Sequence, residues 1–509
     1  MYKPDAIFPV YCHECWWSDI WNPTDCGRDY DFSVPFFEQF RELLKVTPRP
    51  ASYSTQNTNS EYGNHIAHLK NCYLLFGSWF SENCGYGQTV MESKDCWDCL
   101  FIRNCELCFA STDCTKCNQV FFSQKCTACV DSAFLYDCRN CQNCLFSYNL
   151  RNKNYHVFNK QVSKEEYEKI RKEMIHSRPL FEKTLADFKK TIREKAIHKF
   201  MTGERNQNVS GEFISNSKNV HESYYIDNGE NEKYAVRGGV GQKDSMDVFG
   251  VHAGELCYEC NNIDFSSRCF FSVNGENNMN SAYLVDCDHA NNSFGCISIR
   301  KKEYCILNKQ YDKKTYEELL EKIITQMSET PYIDKKGKTY KYGDFFPSEL
   351  SPFAYNETIA QEYIYMPINE EKAKEMGYSW DNIEEKNYVP TKSWKDLPDT
   401  IGEVDDSILS EIILCQAWDL DKHEAQNHKC TKAYKITQNE LLIYKKWNIP
   451  LPQKCPNTRF FELSQTRNPV NFFHRKCTQE GCLNEFETSY SPDRPEIVYC
   501  EACYNQEMY

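Results

Sequence analysis

No apolar run in the 509 residues approaches the roughly 18 to 20 needed to cross a bilayer, so no transmembrane helix is expected. The opening Met1 to Val10 has no basic patch followed by an apolar stretch, and so does not read as a secretory signal. Familiar catalytic motifs are missing too: there is no GxxxxGKS or GxxxxGKT, no HExxH and no GxSxG, so no residue is nominated as catalytic. Gly238 to Lys243 is only a loose likeness of a phosphate loop, because it lacks the Gly-Lys-Ser/Thr ending. Basic residues are outnumbered, 59 Lys and Arg against 73 Asp and Glu, giving a net charge of −14. A general binder of phosphate backbone needs a basic face, and that class is disfavoured.

What the chain has in excess is cysteine, 29 residues in all. Without export the expected location is the cytoplasm, where thiols stay reduced. Packing or metal ligation is then expected in place of a disulfide framework. The 33 Tyr and 31 Phe supply apolar area despite low mean hydropathy, so the chain is expected to fold.

From Leu69 to Leu150 every third residue is Cys, Ser, Leu, Ile, Val or Gly, and all thirteen cysteines of that stretch share the phase. A period of three matches neither a strand nor an α-helix. It fits a coil of short sides with regular corners, and nonads such as Arg103 to Ser111 suggest 18 residues per turn. A bundle of polyproline-type helices also has three residues per turn. It wants Gly at its crowded axis, where this chain supplies mostly Cys. The CxxC pairs of the stretch resemble metal ligand sets, but Ser, Val, Ile and Leu fill the same phase, as ligands could not. Buried packing is therefore the preferred reading, with an iron–sulfur protein using those CxxC pairs as an alternative.

The period returns at Gly211 to Ile226 and at Gly254 to Cys269, and Cys287, Cys296 and Cys305 continue the second phase. Lys70-Asn71 corresponds to Lys218-Asn219 and Asn159-Lys160-Gln161 to Asn308-Lys309-Gln310, an internal duplication offset by about 148 residues. A capping box, Ser163 with Glu166, predicts a helix running to about Phe200, and a second is expected from Lys313 to Met327. Each would cap one solenoid.

The predicted architecture is mainly β with helical caps: two duplicated β-solenoid segments with a cysteine-lined interior, plus a C-terminal zinc ribbon. Its parts are residues 1–63 (a zinc-knuckle-like segment), 64–162 (the first solenoid) and 163–208 (a helical cap). They continue with 209–311 (the second solenoid), 312–407 (a helix and extended connector with a short helix after Asn369) and 408–509 (the zinc-ribbon module).

Zn2+ is the expected cofactor. Cys477, Cys482, Cys500 and Cys503 form two close pairs 17 residues apart, the spacing of a tetrahedral thiolate site that staples a fold and leaves no position for catalysis. Cys12 and Cys15 form a knuckle that calls for a remote partner pair, with Cys26 nearby and Trp16 and Trp17 set to pack on a neighbour. Cys415, Cys430 and Cys455 suggest a second site in which Thr458 stands at the pair-completing position and His423 or His428 would serve as fourth ligand. Arg467, Arg475 and Lys476 form a basic cluster that could touch nucleic acid or face solvent.

The segments CHECWWSDIW at Cys12, YGDFFPSELSPFAYNETIAQEY at Tyr342 and ETSYSPDRPEIVYCEACY at Glu487 resemble a family of cysteine-rich, zinc-ribbon-ended proteins of ultrasmall bacteria with reduced genomes. The resemblance spans essentially the whole chain and implies zinc without implying an activity. Members tend to read CPxCR where this chain has CPNTR at Cys455. The expected function is a zinc-binding scaffold that presents a rigid surface to a protein partner. The alternative is a nucleic-acid- or ribosome-associated factor that makes contact through the ribbon.

Overall fold

The computed structural model describes residues 2–174, 177–237, 243–246, 250, 261–264, 273–382 and 387–509. The phosphate-loop likeness at 238–242 and Gly254, Cys257, Cys260, Ser266 and Cys269 of the second phase lie outside the described residues.

The period of three has a backbone cause. From Asn59 to Phe158, nearly every third residue adopts a left-handed conformation, with φ between +47° and +56°. Each such residue turns the chain. After four triplets the chain comes back into parallel register with itself, so that Lys70 bridges Glu82, Glu82 bridges Lys94 and Lys94 bridges Glu106. The repeat is therefore twelve residues, shorter than the eighteen expected from the nonads. Asn and Asp tolerate the left-handed region best among residues with a Cβ, and they recur there at Asn71, Asn83, Asp95, Asp98, Asn104 and Asp113.

Each triplet carries three backbone N–H groups, and two of them are satisfied by neighbouring rungs. Lys70 N–H donates to Ser81 O at 3.0 Å, and Asn71 N–H to Thr58 O at 2.9 Å. The third N–H belongs to the inward residue and faces the interior. Where the inward residue one repeat earlier carries an acceptor, its side chain takes that N–H: Ser60 Oγ from Cys72 N at 2.9 Å, Ser132 Oγ from Cys144 N at 3.0 Å, and Cys84 Sγ from Cys96 N at 3.4 Å. The same side chains donate onward to carbonyls. Ser81 Oγ reaches Trp79 O and Val90 O at 3.2 and 3.1 Å, while Cys105 Sγ lies 3.4 Å from both Arg103 O and Cys114 O. Cys and Ser share the phase because both can accept an N–H of the following rung and donate to carbonyls of their own and the following rung, which satisfies groups that would otherwise be buried unpaired.

The left-handed residues form columns of neighbours twelve apart. Asn59, Asn71, Asn83 and Asp95 make an amide ladder, each side chain bonding the next at 3.0 to 3.2 Å. Phe122, Phe134, Phe146 and Phe158 make a stack of rings with centroids 5.1, 4.5 and 5.2 Å apart. Phe181 and Phe188 of the helix Arg178–Lys195 pack on that stack. A third column, Phe101, Asp113, Lys125, Asp137 and Asn149, is covered by the C-terminal part of the chain and by residues 197–237.

Residues 207–308 stay close to the twelve-residue register, as in Lys218 with Glu230, Val273 with Val285 and Asp288 with Arg300, with Gln207 and Lys218 paired eleven apart and Glu230 and Lys243 thirteen apart. The shared Asn-Lys-Gln motif closes both ladders alike. The Asn159 amide accepts from Tyr148 N and donates to Tyr148 O, both at 2.9 Å. Asn308 does the same with Ile297, at 2.8 and 2.9 Å. The Lys-Gln pair then folds back antiparallel onto the last rung.

The mainly β, two-solenoid fold class expected from the sequence is corrected. Helix and strand take near-equal shares, 28 % and 29 %, in many small, mostly parallel sheets, and no closed or solenoid sheet is detected among the described residues. The physical reason is twofold. A left-handed residue at every third position breaks the extended runs, and the segments outside the ladders fold as helices that bury the columns. The expected helix after Ser163 is split into Lys164–Met174 and Arg178–Lys195, with Ser163 Oγ accepting from Glu166 N at 3.2 Å. The second helix runs Lys313–Glu329 with Asp312 as its cap, and the short one is Glu370–Met376, capped by Asn369. The N-terminal helix Phe36–Val46 buries Phe36, Phe37, Phe40 and Leu43 against Tyr283 and Phe294.

Ser132→Ala should cost about 1 to 3 kcal/mol in denaturant unfolding, because the Cys144 N–H loses its buried acceptor. Ser132→Cys keeps an acceptor and should cost less than half as much. Equal losses would contradict the interior hydrogen-bond role.

Candidate metal centres

Cys477 ends the strand Phe473–Lys476 and is tied to Asn484 across a hairpin, with its N–H donating to Asn484 O at 2.9 Å. Gly481, at φ +77°, makes the tight turn that brings Cys482 back toward it. Cys500 caps the helix Glu501–Met508 and Cys503 lies in its first turn. The four sulfurs lie within 4.8 Å of one another, with Cys482 and Cys500 Sγ 3.9 Å apart. A metal bound tetrahedrally at about 2.3 Å from each sulfur needs sulfurs about 3.8 Å apart. The donor set fits. Cys500 N–H donates to Cys477 Sγ at 3.3 Å, and the Asn484 amide to Cys500 Sγ at 3.4 Å, so negative charge on sulfur is supported from outside the cluster. Burial pushes the Cys500 thiol up, but the Asn484 amide and the Cys503 N–H outweigh it and bring it down to about 7.

Cys415, Cys430 and Cys455 form a second group with sulfurs within 4.8 Å of one another. Cys415 and Cys455 each precede a helix, Gln416–Leu420 and Pro456–Ser464, and Cys430 follows Lys429 at φ +54°. Cys455 Sγ is 3.6 Å from Cys430 Sγ, and Cys455 N–H donates to Cys415 Sγ at 3.2 Å. The expected fourth ligand is corrected. His428 stacks on Phe461 at 3.9 Å and meets Glu424 through Nε2 at 3.0 Å, and His423 is exposed on the helix Lys422–Asn427. The side chain at the fourth corner is the buried Thr458, whose Oγ1 lies 3.3 Å from Cys455 Sγ and 3.9 Å from Cys415 Sγ. The thiols of Cys415 and Cys430 together with this hydroxyl draw the Cys455 thiol down.

Cys12 and Cys15 sit at the exposed start of the helix His13–Trp17, and among the described residues no third ligand atom joins them. Cys26 is turned toward Val46 O at 3.7 Å. Of the two tryptophans expected to pack, Trp16 is buried with Arg300 5.1 Å over its ring, whereas Trp17 is 49 % exposed. The ladder cysteines make no group of three within ligand distance among the described residues.

The basic cluster disperses. Arg467 is buried, its Nε paired with Asp113 Oδ2 at 3.2 Å and its guanidinium 3.6 Å over Phe101. Arg475 donates to Ser491 O at 3.2 Å and Glu496 O at 2.8 Å, and only Lys476 stands in solvent. What the sequence reading missed is the other half of each pair. Asp113 precedes Cys114, and the Asn/Asp-Cys dipeptides are the signal for a column facing outward at that corner.

No protein family matches the chain, and no curated protein matches it. Among solved structures, one from Desulfovibrio desulfuricans G20 described as a candidate acetyltransferase aligns over 57 % of this chain and 74 % of its own, at 9 % identity and a TM-score of 0.12. That score is too low to carry an argument. No helix among the described residues is long and apolar enough to cross a membrane.

Arg467→Met should destabilise the protein by about 3 to 5 kcal/mol, because Asp113 stays buried without its partner. Denaturant unfolding reads this. A loss below roughly 1 kcal/mol would show that the pair does not anchor the C-terminal part to the ladder.

Proposed function

We propose that the chain is a zinc-binding scaffold whose C-terminal part is a zinc ribbon held by Cys477, Cys482, Cys500 and Cys503, with a weaker second zinc at Cys415, Cys430 and Cys455. The observation that carries the reading is the tetrahedral spacing of the first four sulfurs, supported by two N–H donors outside them. Four thiolates fill the coordination sphere of Zn2+, which gives the ion a stapling role and leaves it no open position for a substrate.

The partner in this reading is another protein. The amide ladder from Asn59 to Asp95 and the stacked His68 and Phe80, with Phe80 59 % exposed, form regular rows of polar and aromatic groups on rigid backbone. Regular rows of this kind suit recognition of an extended surface. The ladder cysteines are spent on backbone hydrogen bonds, which favours zinc outside the ladder over clusters within it.

Metal analysis of the purified full chain should find about one to two zinc per chain and no iron. Cys500→Ser should lose about one equivalent, and Cys105→Ser none. Iron in place of zinc, or metal loss on Cys105→Ser, would overturn the reading.

A further inference from the structure

Where the C-terminal part docks on the Lys125 column, a half-open cavity of about 300 Å³ forms. Its walls come from the ladder, the helix Arg178–Lys195, residues 197–213, residues 462–468 and the segment around Tyr490. That size is at the lower end of small-molecule sites. Three observations say what would enter it.

The first is a pair of idle donors. Arg467 lines the cavity and is 2 % exposed, yet both of its terminal nitrogens are buried without an acceptor. Its guanidinium lies between Phe101 at 3.6 Å and Phe213 at 4.3 Å, so ring faces hold it in place while its edge stays unspent. A buried cation with unmade hydrogen bonds is costly unless something supplies an acceptor.

The second is Lys125. Its ammonium meets hydroxyls, Thr202 Oγ1 at 3.0 Å and Tyr490 at 3.4 Å, and no carboxylate lies within 4 Å of it among the described residues. Of the anions that act on it through space, Glu212 is engaged elsewhere, accepting from Thr202 N at 3.0 Å and Ser489 Oγ at 3.1 Å, and Asp113 pairs with Arg467.

The third is the balance of the wall in a chain of net charge −14. Lys125, Lys189, Arg193, Arg467 and Arg494 line the cavity against Glu212, Glu462 and Glu496. Glu462 pairs with Lys454, outside the lining, and Glu496 with Arg494 at 3.1 Å. Between the cations stand apolar surfaces of Phe213, Ile192 and Tyr136. His198 adds no charge: burial and Lys125 hold it neutral, and its Nε2–H donates to Ile192 O at 3.3 Å while Nδ1 accepts from Tyr136 at 2.6 Å.

We propose that this cavity binds a small organic oxyanion, a phosphate or carboxylate on a compact apolar body, with Lys125, Arg467 and Arg494 as its positive wall. The head group meets the Lys125 ammonium with the Arg467 charge behind it, and the body covers the aromatic surfaces. This site goes beyond the scaffold reading and does not depend on which metal the thiolates hold.

Isothermal titration of the full chain with phenyl phosphate, benzoate and neutral benzyl alcohol tests it, with metal content measured alongside. Saturable binding of either anion is expected, with mutual competition if both bind, and benzyl alcohol should not bind. Lys125→Met and Arg494→Met should each weaken binding about tenfold or more, while the exposed Lys476→Met leaves it unchanged. Should Lys125→Met fail to fold, Arg494→Met and the charge-keeping Lys125→Arg carry the comparison, the latter retaining affinity. Absence of saturable binding by both anions overturns the proposal. So does equal binding of benzyl alcohol, or an Arg494→Met variant that binds like the parent. Normal zinc content in that case leaves the scaffold reading intact.

Discussion

A left-handed residue at every third position is the constraint from which the ladders follow. For a residue with a Cβ the conformation costs roughly 1 kcal/mol or more, and it is repeated at every corner. The cost is offset because each corner delivers three things at once. It aligns two backbone hydrogen bonds with the neighbouring rungs, it sends the following side chain inward, and it stacks like residues twelve apart. Relaxing one corner would shift the rungs above and below it, which makes the corners cooperative.

The three columns created by that geometry divide the work of the molecule. The amide ladder faces solvent, the phenylalanine stack takes the helices, and the column from Phe101 to Asn149 receives the C-terminal part. In the last column the chemistry alternates: Asp113 pairs with Arg467, Lys125 meets Tyr490, and Asp137 pairs with Arg151. The four-cysteine cluster belongs to the same segment. A metal there would fix the hairpin and the terminal helix, and through them the placement of Tyr490, Arg494 and Glu496 beside the ladder.

Much of this was legible in the sequence, and the limits of legibility are physical. The phase of the cysteines identified the inward residues because a fixed side-chain direction leaves a fixed period. The Cys477, Cys482, Cys500 and Cys503 spacing identified a metal-competent group because two close pairs need only a hairpin and a helix start to converge. The repeat of twelve was hidden because the nonads record similarity between triplets, while register is decided by backbone turning. Thr458 was passed over as a non-ligand, although proximity at the fourth corner depends on the first turn of the helix Pro456–Ser464. Arg467 read as surface charge because its partner Asp113 is 354 residues away in the chain. Helix content outside the ladders was underestimated, since those segments take their order from the columns they cover.

The central claim is that cysteines in phase with the corners build the interior, while the two cysteine groups of the C-terminal part are the ones suited to hold metal. Anomalous diffraction at the zinc edge from crystals of the full chain tests it most directly. The account predicts a peak among Cys477, Cys482, Cys500 and Cys503, a weaker one or none at Cys415, Cys430 and Cys455, and a ladder interior empty of peaks between Cys72 and Cys144. A metal peak inside the ladder, or none at the first cluster in protein that carries zinc, would contradict it.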